Sequence, residues 1–252
     1  MRFASLGSGS RGNGLIVEWD AGSVLVDCGF SVRETEVRLH RLGKSPRDLT
    51  AILVTHEHSD HIKGVAALAR RYQLPVYMTP GTYHSRALGE LPELRLIHGY
   101  APFELNGLAV RPVAVPHDAR EPCQFVFLHR QRRLGVLTDL GSITAHVEAS
   151  YQDCDAMVLE ANHDPMMLAS GPYPPSLKQR VGGQWGHLSN QQAAGFLQRI
   201  DVRRLQHLVV AHISQKNNSL EVAQRTLADV TTDISRVTYA CQDMGFGWLA
   251  VK

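Results

Sequence analysis

The chain reads as an α/β protein in which two β-sheets pack face to face with helices outside, a four-layer αβ/βα sandwich. Short β-type runs crowd its first half, and strand-like and helix-like runs alternate in its second. Each half thus offers strands followed by flanking helices, so each sheet could bury one face on the other sheet and one under helices. The same periodicity would serve a single open α/β sheet, and the choice between the two rests on the motifs below. At 252 residues the chain can bury a large core. It shows no internal repeat, low-complexity tract or linker-like boundary, and residues 1–252 are read as one domain.

Arg2–Leu6, Leu15–Trp19 and Ser23–Asp27 alternate or run apolar and read as strands, with Asp20-Ala21-Gly22 turning between the last two. Val32–Leu42 has helical spacing at Val32, Val37 and Leu39, and Gly43 is a plausible stop. Ile52–Thr55 is a buried strand, and a helix follows over Ile62–Tyr72. Val76–Met78, Leu108–Val115, Gln124–His129, Leu134–Thr138 and Ala156–Glu160 read as further strands, with a helix over Ser142–Tyr151. In Ser189–Ile200, Ser189 is a good helix N-cap with Gln192 three residues on. Leu205–Ala211, Arg236–Ala240 and Gly247–Val251 are strands, and Leu220–Val230 is a helix.

Composition narrows the class. The 44% hydrophobic and 20% charged fractions are those of a globular protein. A net charge of +2 is too weak a bias to establish nucleic-acid binding by itself. Arg70-Arg71, Arg130–Arg133 and Arg203-Arg204 read as ordinary solvated surface. Cys28, Cys123, Cys154 and Cys241 form no C-x-x-C pair, and their mostly apolar neighbours indicate buried free thiols. Met1–Gly7 turns glycine-rich too soon for a signal peptide, and no apolar run approaches the ~20 residues of a membrane span. A cytoplasmic location without membrane attachment is expected, which counts against an exported antibiotic-degrading enzyme. The sequence favours no particular oligomeric state.

Thr55-His56-Glu57-His58-Ser59-Asp60-His61 carries the chemistry. Four strong metal-ligating side chains, His56, His58, Asp60 and His61, fall within six consecutive residues after an apolar strand. Such groups are costly to bury unless a cation satisfies them. In extended chain, residues two apart face the same way, so His56 and His58 can chelate one ion. Asp60 and His61, at the turn into the helix, point towards a second. A solvated histidine-rich loop is the plain alternative.

The run resembles the H-x-H-x-D-H signature of the metallo-β-lactamase superfamily, and that resemblance implies a four-layer sandwich with a dinuclear hydrolytic centre. It supplies three further positions. His117 in Val115-Pro116-His117-Asp118 would join His56 and His58 on one ion. Asp139 in Leu137-Thr138-Asp139-Leu140-Gly141 would bridge the two. His212 in Ala211-His212-Ile213-Ser214 would join Asp60 and His61 on the other. Zn2+ is the first expectation, with Mn2+ or Fe as alternatives suited to a carboxylate-bridged site. His40, His84, His98, His129, His146 and His207 read as surface polar groups. An aspartate at 139, where zinc-dependent lactamases often carry cysteine, points to the phosphodiesterase side of the superfamily.

Leu159-Glu160-Ala161, and Gly186-His187-Leu188-Ser189 opening a helix, resemble elements of ribonuclease Z and its relatives. There the glutamate and histidine pair protonates a leaving oxygen, a role that suits expulsion of an alkoxide. The wider resemblance is to the WalJ (YycJ) branch, a bacterial group with exonuclease members. It runs through Leu6–Asn13, Glu160–Asp164, Gly171–Pro174, Leu177–Arg180, Gly186–Asn190 and His212–Asn218. The chain has no room for an inserted β-CASP domain and no obvious arm for gripping transfer RNA. The resemblance therefore implies a metal-dependent phosphodiesterase, a nuclease acting on DNA or RNA ends. In it, hydroxide between two ions attacks phosphorus, Asp60 helps orient it, and His187 with Glu160 protonates the leaving group. Ser8, Ser10, Arg11, Asn13, Lys178, Arg180, Ser214 and Asn217 are candidate substrate contacts, and Asp27 a candidate to orient a metal-bound histidine. A small-molecule hydrolase (cyclic phosphodiesterase, or thioester or lactone hydrolase) is the alternative enzyme, and a metal-loaded regulatory protein without turnover the alternative of another class.

Overall fold

The computed structural model describes every residue except Arg86, Asp233 and Ser235. Two seven-stranded mixed sheets lie face to face, and helices cover their outer faces. The first holds β1 (Arg2–Gly7), β2 (Gly14–Trp19), β3 (Gly22–Val26), β4 (Ala51–Leu53), β5 (Pro75–Met78) and β6 (Glu93–Leu96). The second holds β7 (Phe103–Leu105), β8 (Leu108–Ala114), β9 (Cys123–His129), β10 (Arg132–Leu137), β11 (Ala156–Glu160), β12 (His207–Ala211) and β13 (Val237–Tyr239). The last strand, β14 (Phe246–Ala250), leaves its own half and pairs antiparallel with β1. Each sheet begins as an antiparallel meander and continues in parallel strands, so the halves repeat one plan without a repeated sequence.

Period-two alternation explains the layers. Phe3, Val17, Val24 and Leu53 of the first sheet meet Val110, Phe125, Val136 and Val209 of the second. Their strand neighbours Ala4, Ile16, Leu25 and Ile52 face outward, under α1 (Val32–Arg41) and the helix containing Leu68. Strands buried on both faces read as near-continuous apolar runs, which is why the motif and not the periodicity decided between one sheet and two.

The helix expected over Ile62–Tyr72 is two helices, α2 (Ser59–Ile62) and α3 (Val65–Tyr72), with Gly64 between them. A Cβ at Gly64 would lie 2.0 Å from the Phe30 carbonyl oxygen, so the chain bends where only glycine fits. α4 (Pro80–His84) and strands β6 and β7 lack the spacing that would betray them in the sequence. α5 (Ala145–Ser150) starts at the Thr144 cap and not at Ser142. α6 (Pro165–Ser170) and the amphipathically plain α7 (Pro175–Val181) are further additions. α8 (Asn190–Leu197) has the Ser189/Gln192 capping box, and α9 (Leu220–Leu227) follows the Ser219 cap. Cys28, Cys123 and Cys154 are buried free thiols, but Cys241 is exposed, because it opens the turn that leads into β14. Among the described residues, no helix is long and apolar enough to cross a membrane.

Candidate metal centre and catalytic cavity

The functional side chains gather where strands of both sheets end on one rim of the sandwich. Asp27 follows β3, Thr55–His61 follow β4, His117 follows β8, Asp139 follows β10, and His212 follows β12, while Glu160 is the last residue of β11. Asp27, Asp139 and His212 all adopt positive φ (60°, 55° and 53°). Asp and His tolerate that conformation better than most residues. Here it turns each side chain out of its strand's alternation and into the site.

His56, His58 and His117 form a cage with ring centroids 4.5–4.9 Å apart. Hydrogen bonds select the nitrogen each ring offers. Thr55 Oγ1 donates to Asp27 Oδ2 (2.8 Å), so it accepts from His56 Nδ1 (2.9 Å). His56 Nε2 is then a buried lone pair with no partner. His117 Nδ1 donates to the Gly186 carbonyl (2.9 Å), which turns its Nε2 towards His58 Nδ1 at 3.2 Å. Three acceptor nitrogens converging in this way fit a cation.

Beside the cage, His61 Nδ1 donates to Asp27 Oδ2 (2.8 Å), and its Nε2 lies 3.5 Å from Asp60 Oδ2 and 3.4 Å from Asp139 Oδ2. His212 Nδ1 lies 3.0 Å from Asp139 Oδ1. His56, His61 and Asp139 also lie close enough to share an ion, so the two groups adjoin. Asp27, Asp139 and Glu160 are buried carboxylates, and among the described residues none pairs with a lysine or arginine. Charge of that kind calls for cations. The donor set thus fits divalent cations, with one group offering chiefly nitrogen and its neighbour carboxylate as well.

The electrostatics follow. Burial, reinforced by His61, drives His56 well below the usual histidine range. Burial acts the same way on His61, but Asp139, Asp60 and Asp27 overcome it and raise that ring well above the range. Burial opposes ionisation of Asp139 and Asp60, yet His212 and His61 hold Asp139 well below the carboxylate range, and His61 holds Asp60 at about 2. Both carboxylates are therefore ionised, as metal ligands must be.

Glu160 and His187, expected from the sequence to act as a pair, are hydrogen-bonded to each other. Glu160 Oε1 accepts from His187 Nδ1 at 2.6 Å, and Oε2 accepts the backbone N–H groups of Leu140 (3.2 Å) and Leu188 (3.1 Å). The four groups Asp139, Glu160, His187 and His212 are near enough to hold an ion among themselves. With three hydrogen bonds, however, the Glu160 carboxylate is already committed to this pair and the local backbone. Burial lowers His187, but the Glu160 charge and hydrogen bond reverse this and push it up to about 9.

His187 opens into a cavity of about 330 Å³ bounded by His58, Asp60, Asp139 and His212 on one side and Tyr173, Leu177 and Val181 on the other. The candidate contacts divide. Ser10, Arg180, Ser214 and Asn217 line this cavity, and Arg180 forms an ion pair with Asp118 at its edge. Ser8 is buried and accepts the His212 backbone N–H (2.9 Å), so it holds the His212 backbone in place. Asn13 is also buried, bonding Gly9 and Asp60 Oδ2 (3.2 Å), and acts on the loop and on Asp60. Arg11 pairs with Asp243 (2.9 Å) and Lys178 donates to the Ala169 carbonyl (2.6 Å), and neither lines the cavity.

Thr55, Asp118 and Tyr173 stand in or beside the site although the sequence alone did not single them out. Thr55 extends the reach of Asp27 to His56, and its only sequence signal is a hydroxyl directly before the first histidine. Gly29 matters through steric closeness alone, since a Cβ there would lie 1.7 Å from the Asp60 carbonyl oxygen. His163 is buried, unlike the surface histidines, and its carbonyl accepts the Asn190 backbone N–H (2.9 Å) at the start of α8.

Residues 23–213 match the family model described as Beta-lactamase superfamily domain. The chain is 36% identical over 234 residues to an exodeoxyribonuclease YycJ from Bacillus anthracis, covering 91% of this chain and 89% of that one. It is 33% identical over 234 residues to the exodeoxyribonuclease WalJ of Streptococcus pneumoniae, covering 90% and 87%. Zn(2+)-bound PqqB from Methylobacterium extorquens shares the fold at TM-score 0.73 and 18% identity, with 99% and 100% of the chains covered. The chain belongs to the β-lactamase superfamily of metal-dependent hydrolases, within the YycJ/WalJ family.

Proposed function

We propose that the protein is a dinuclear metal-dependent exonuclease that hydrolyses phosphodiesters at DNA ends, and that it works in the cytoplasm as one domain. The hydrogen-bonded Glu160–His187 pair at 2.6 Å, facing the cavity beside the ligand cage, carries this reading. His56, His58 and His117 would hold one cation, and Asp60, His61 and His212 the other, with Asp139 shared. Zinc suits the first group, and zinc, manganese or iron the second. When bound, the ions supply a water of lowered pKa and offset charge on the phosphoryl oxygens.

The protein's own groups do the rest. Asp27 and Thr55 fix the ring tautomers, and Asp60 orients the nucleophile. His187 Nδ1 is committed to Glu160, so the proton it can deliver lies on Nε2. As the P–O bond breaks, that proton passes to the leaving alkoxide, and Glu160 stabilises the imidazolium beforehand. Arg180 at the cavity edge contacts a phosphate, while Tyr173, Leu177 and Val181 offer an apolar wall to a sugar or base. The polar mouth, with Ser10, Asp118, Arg180, Ser214 and Asn217 in its lining, favours this over a lactone or thioester hydrolase.

The test is a screen of metal-defined protein against end-labelled single- and double-stranded DNA and RNA, with a nitrophenyl phosphodiester and a nitrophenyl thioester alongside. Processive or distributive loss of terminal nucleotides is expected, abolished by a chelator. Turnover of the thioester alone would replace this reading with the small-molecule one.

A further inference from the structure

Away from the cavity, α1 and the turn before β14 frame a second groove of about 400 Å³, lined by Arg33, Glu34, Val37, Arg38, Arg41 and Asp243. A short chain of neighbours links it to the catalytic mouth. Ser10 lines the cavity, and the adjacent Arg11 pairs with Asp243 at 2.9 Å. The Asp243 carbonyl accepts from Arg38 (2.7 Å) and Arg41 (3.3 Å). Four arginines therefore crowd around two carboxylates. Glu34 is already engaged by Ser31 as a helix cap, and Asp243 by Arg11. Two positive charges are left unmatched, equal to the formal excess of the entire chain. Arg33 is exposed and makes no ion pair among the described residues. Burial and the nearby Arg41 disfavour the charge on Arg38, so the cluster is held together against its own repulsion.

We infer that this groove is a track for the phosphate backbone of the nucleic acid that extends beyond the end held in the catalytic cavity. The inference rests on the proposed nuclease function and adds where the rest of the strand runs. A cavity of about 330 Å³ accommodates little more than the scissile segment. A longer substrate must leave across the rim, and the Ser10–Arg11–Asp243 side leads directly to uncompensated cations. Guanidinium groups in a row suit phosphates through bidentate, charge-assisted bonds.

The experiment uses the full chain carrying Arg33→Gln and Arg41→Gln together, with thermal melting to verify folding. Binding of labelled DNA of 4, 12 and 30 nucleotides is measured by anisotropy in chelator over a salt series. Cleavage of the same lengths and of a nitrophenyl phosphodiester is followed with metal present. The track requires weaker binding of the 30-mer and a log–log salt slope smaller by about 0.7–0.9 for each phosphate no longer neutralised. The 4-mer and the nitrophenyl ester should respond little. Equal effects at all lengths, or none, would overturn the track, as would failure of the unsubstituted protein to bind the 30-mer. A protein that turns over only small esters would instead fail the nuclease reading itself. If the double variant melts early, Arg33→Gln alone, at an exposed unpaired side chain, gives the same comparison with a single cation removed.

Discussion

Replacing Asp27 by Asn isolates how the fold prepares the metal centre. Asp27 Oδ1 accepts the Thr55 backbone N–H, and Oδ2 accepts both Thr55 Oγ1 and His61 Nδ1, all at 2.8 Å. An amide can preserve the two Oδ2 bonds only by setting its NH2 against the Thr55 N–H. In the other orientation the NH2 faces His61 Nδ1, which must then become an acceptor and shift its proton to Nε2, removing the lone pair a metal needs. The first arrangement loses one buried bond to a charged group, a cost of about 1.5–3 kcal/mol, or roughly 10–150-fold in an equilibrium constant. Partners that orient a metal-bound histidine are typically worth about 10–100-fold in affinity. Competition against a chromophoric chelator, with elemental analysis for stoichiometry, should show that loss, while circular dichroism in chelator shows the variant folded. Thr55→Val, which cuts only the relay to His56, should weaken binding less. Two ions per chain at unchanged affinity in Asp27→Asn would refute the assigned role.

His187→Ala should leave metal content nearly unchanged but slow cleavage of DNA by about 10²–10⁴-fold. The loss should shrink for a nitrophenolate leaving group, and equal losses on both substrates would remove His187 from proton delivery. In metal-free protein, His187 stands at about 9, above its unfolded value. Its contribution is therefore complete below about pH 6.5 and lost as pH rises through about 9, so urea melts should show the stability gap between wild type and His187→Ala closing over that interval. Gly29→Ala forces apart the loop and the Asp60 carbonyl and should reduce second-ion occupancy, as read by elemental analysis. Asp139→Ala should empty the same site more thoroughly, because both ligand groups share that carboxylate.

What the sequence made legible was chemistry held in short order. His56 to His61 are contiguous, with His56 and His58 just after β4 and Asp60 and His61 in the turn of helix α2. The layered fold was legible only through the motif, because strands such as Val24-Leu25-Val26 feed two cores at once and read as continuous apolar runs. Roles made by distant backbone were hidden. Ser8 and Asn13 carry the right chemistry for a phosphate, but the His212 amide and the Asp60 loop consume it, 204 and 47 residues away. Arg11 and Lys178 lie in family-like segments, yet their partners Asp243 and Ala169 draw them off the cavity. The break at Gly64 depends on the Phe30 carbonyl, which no helical periodicity encodes.

The left-handed backbone at Asp27, Asp139 and His212 narrows what those positions can hold. Such dihedrals cost free energy in most side chains, and Asp, Asn and His tolerate them better than branched or bulky residues. Asp139→Val would therefore strain the backbone as well as remove a carboxylate, whereas Asp139→Asn would change the chemistry alone.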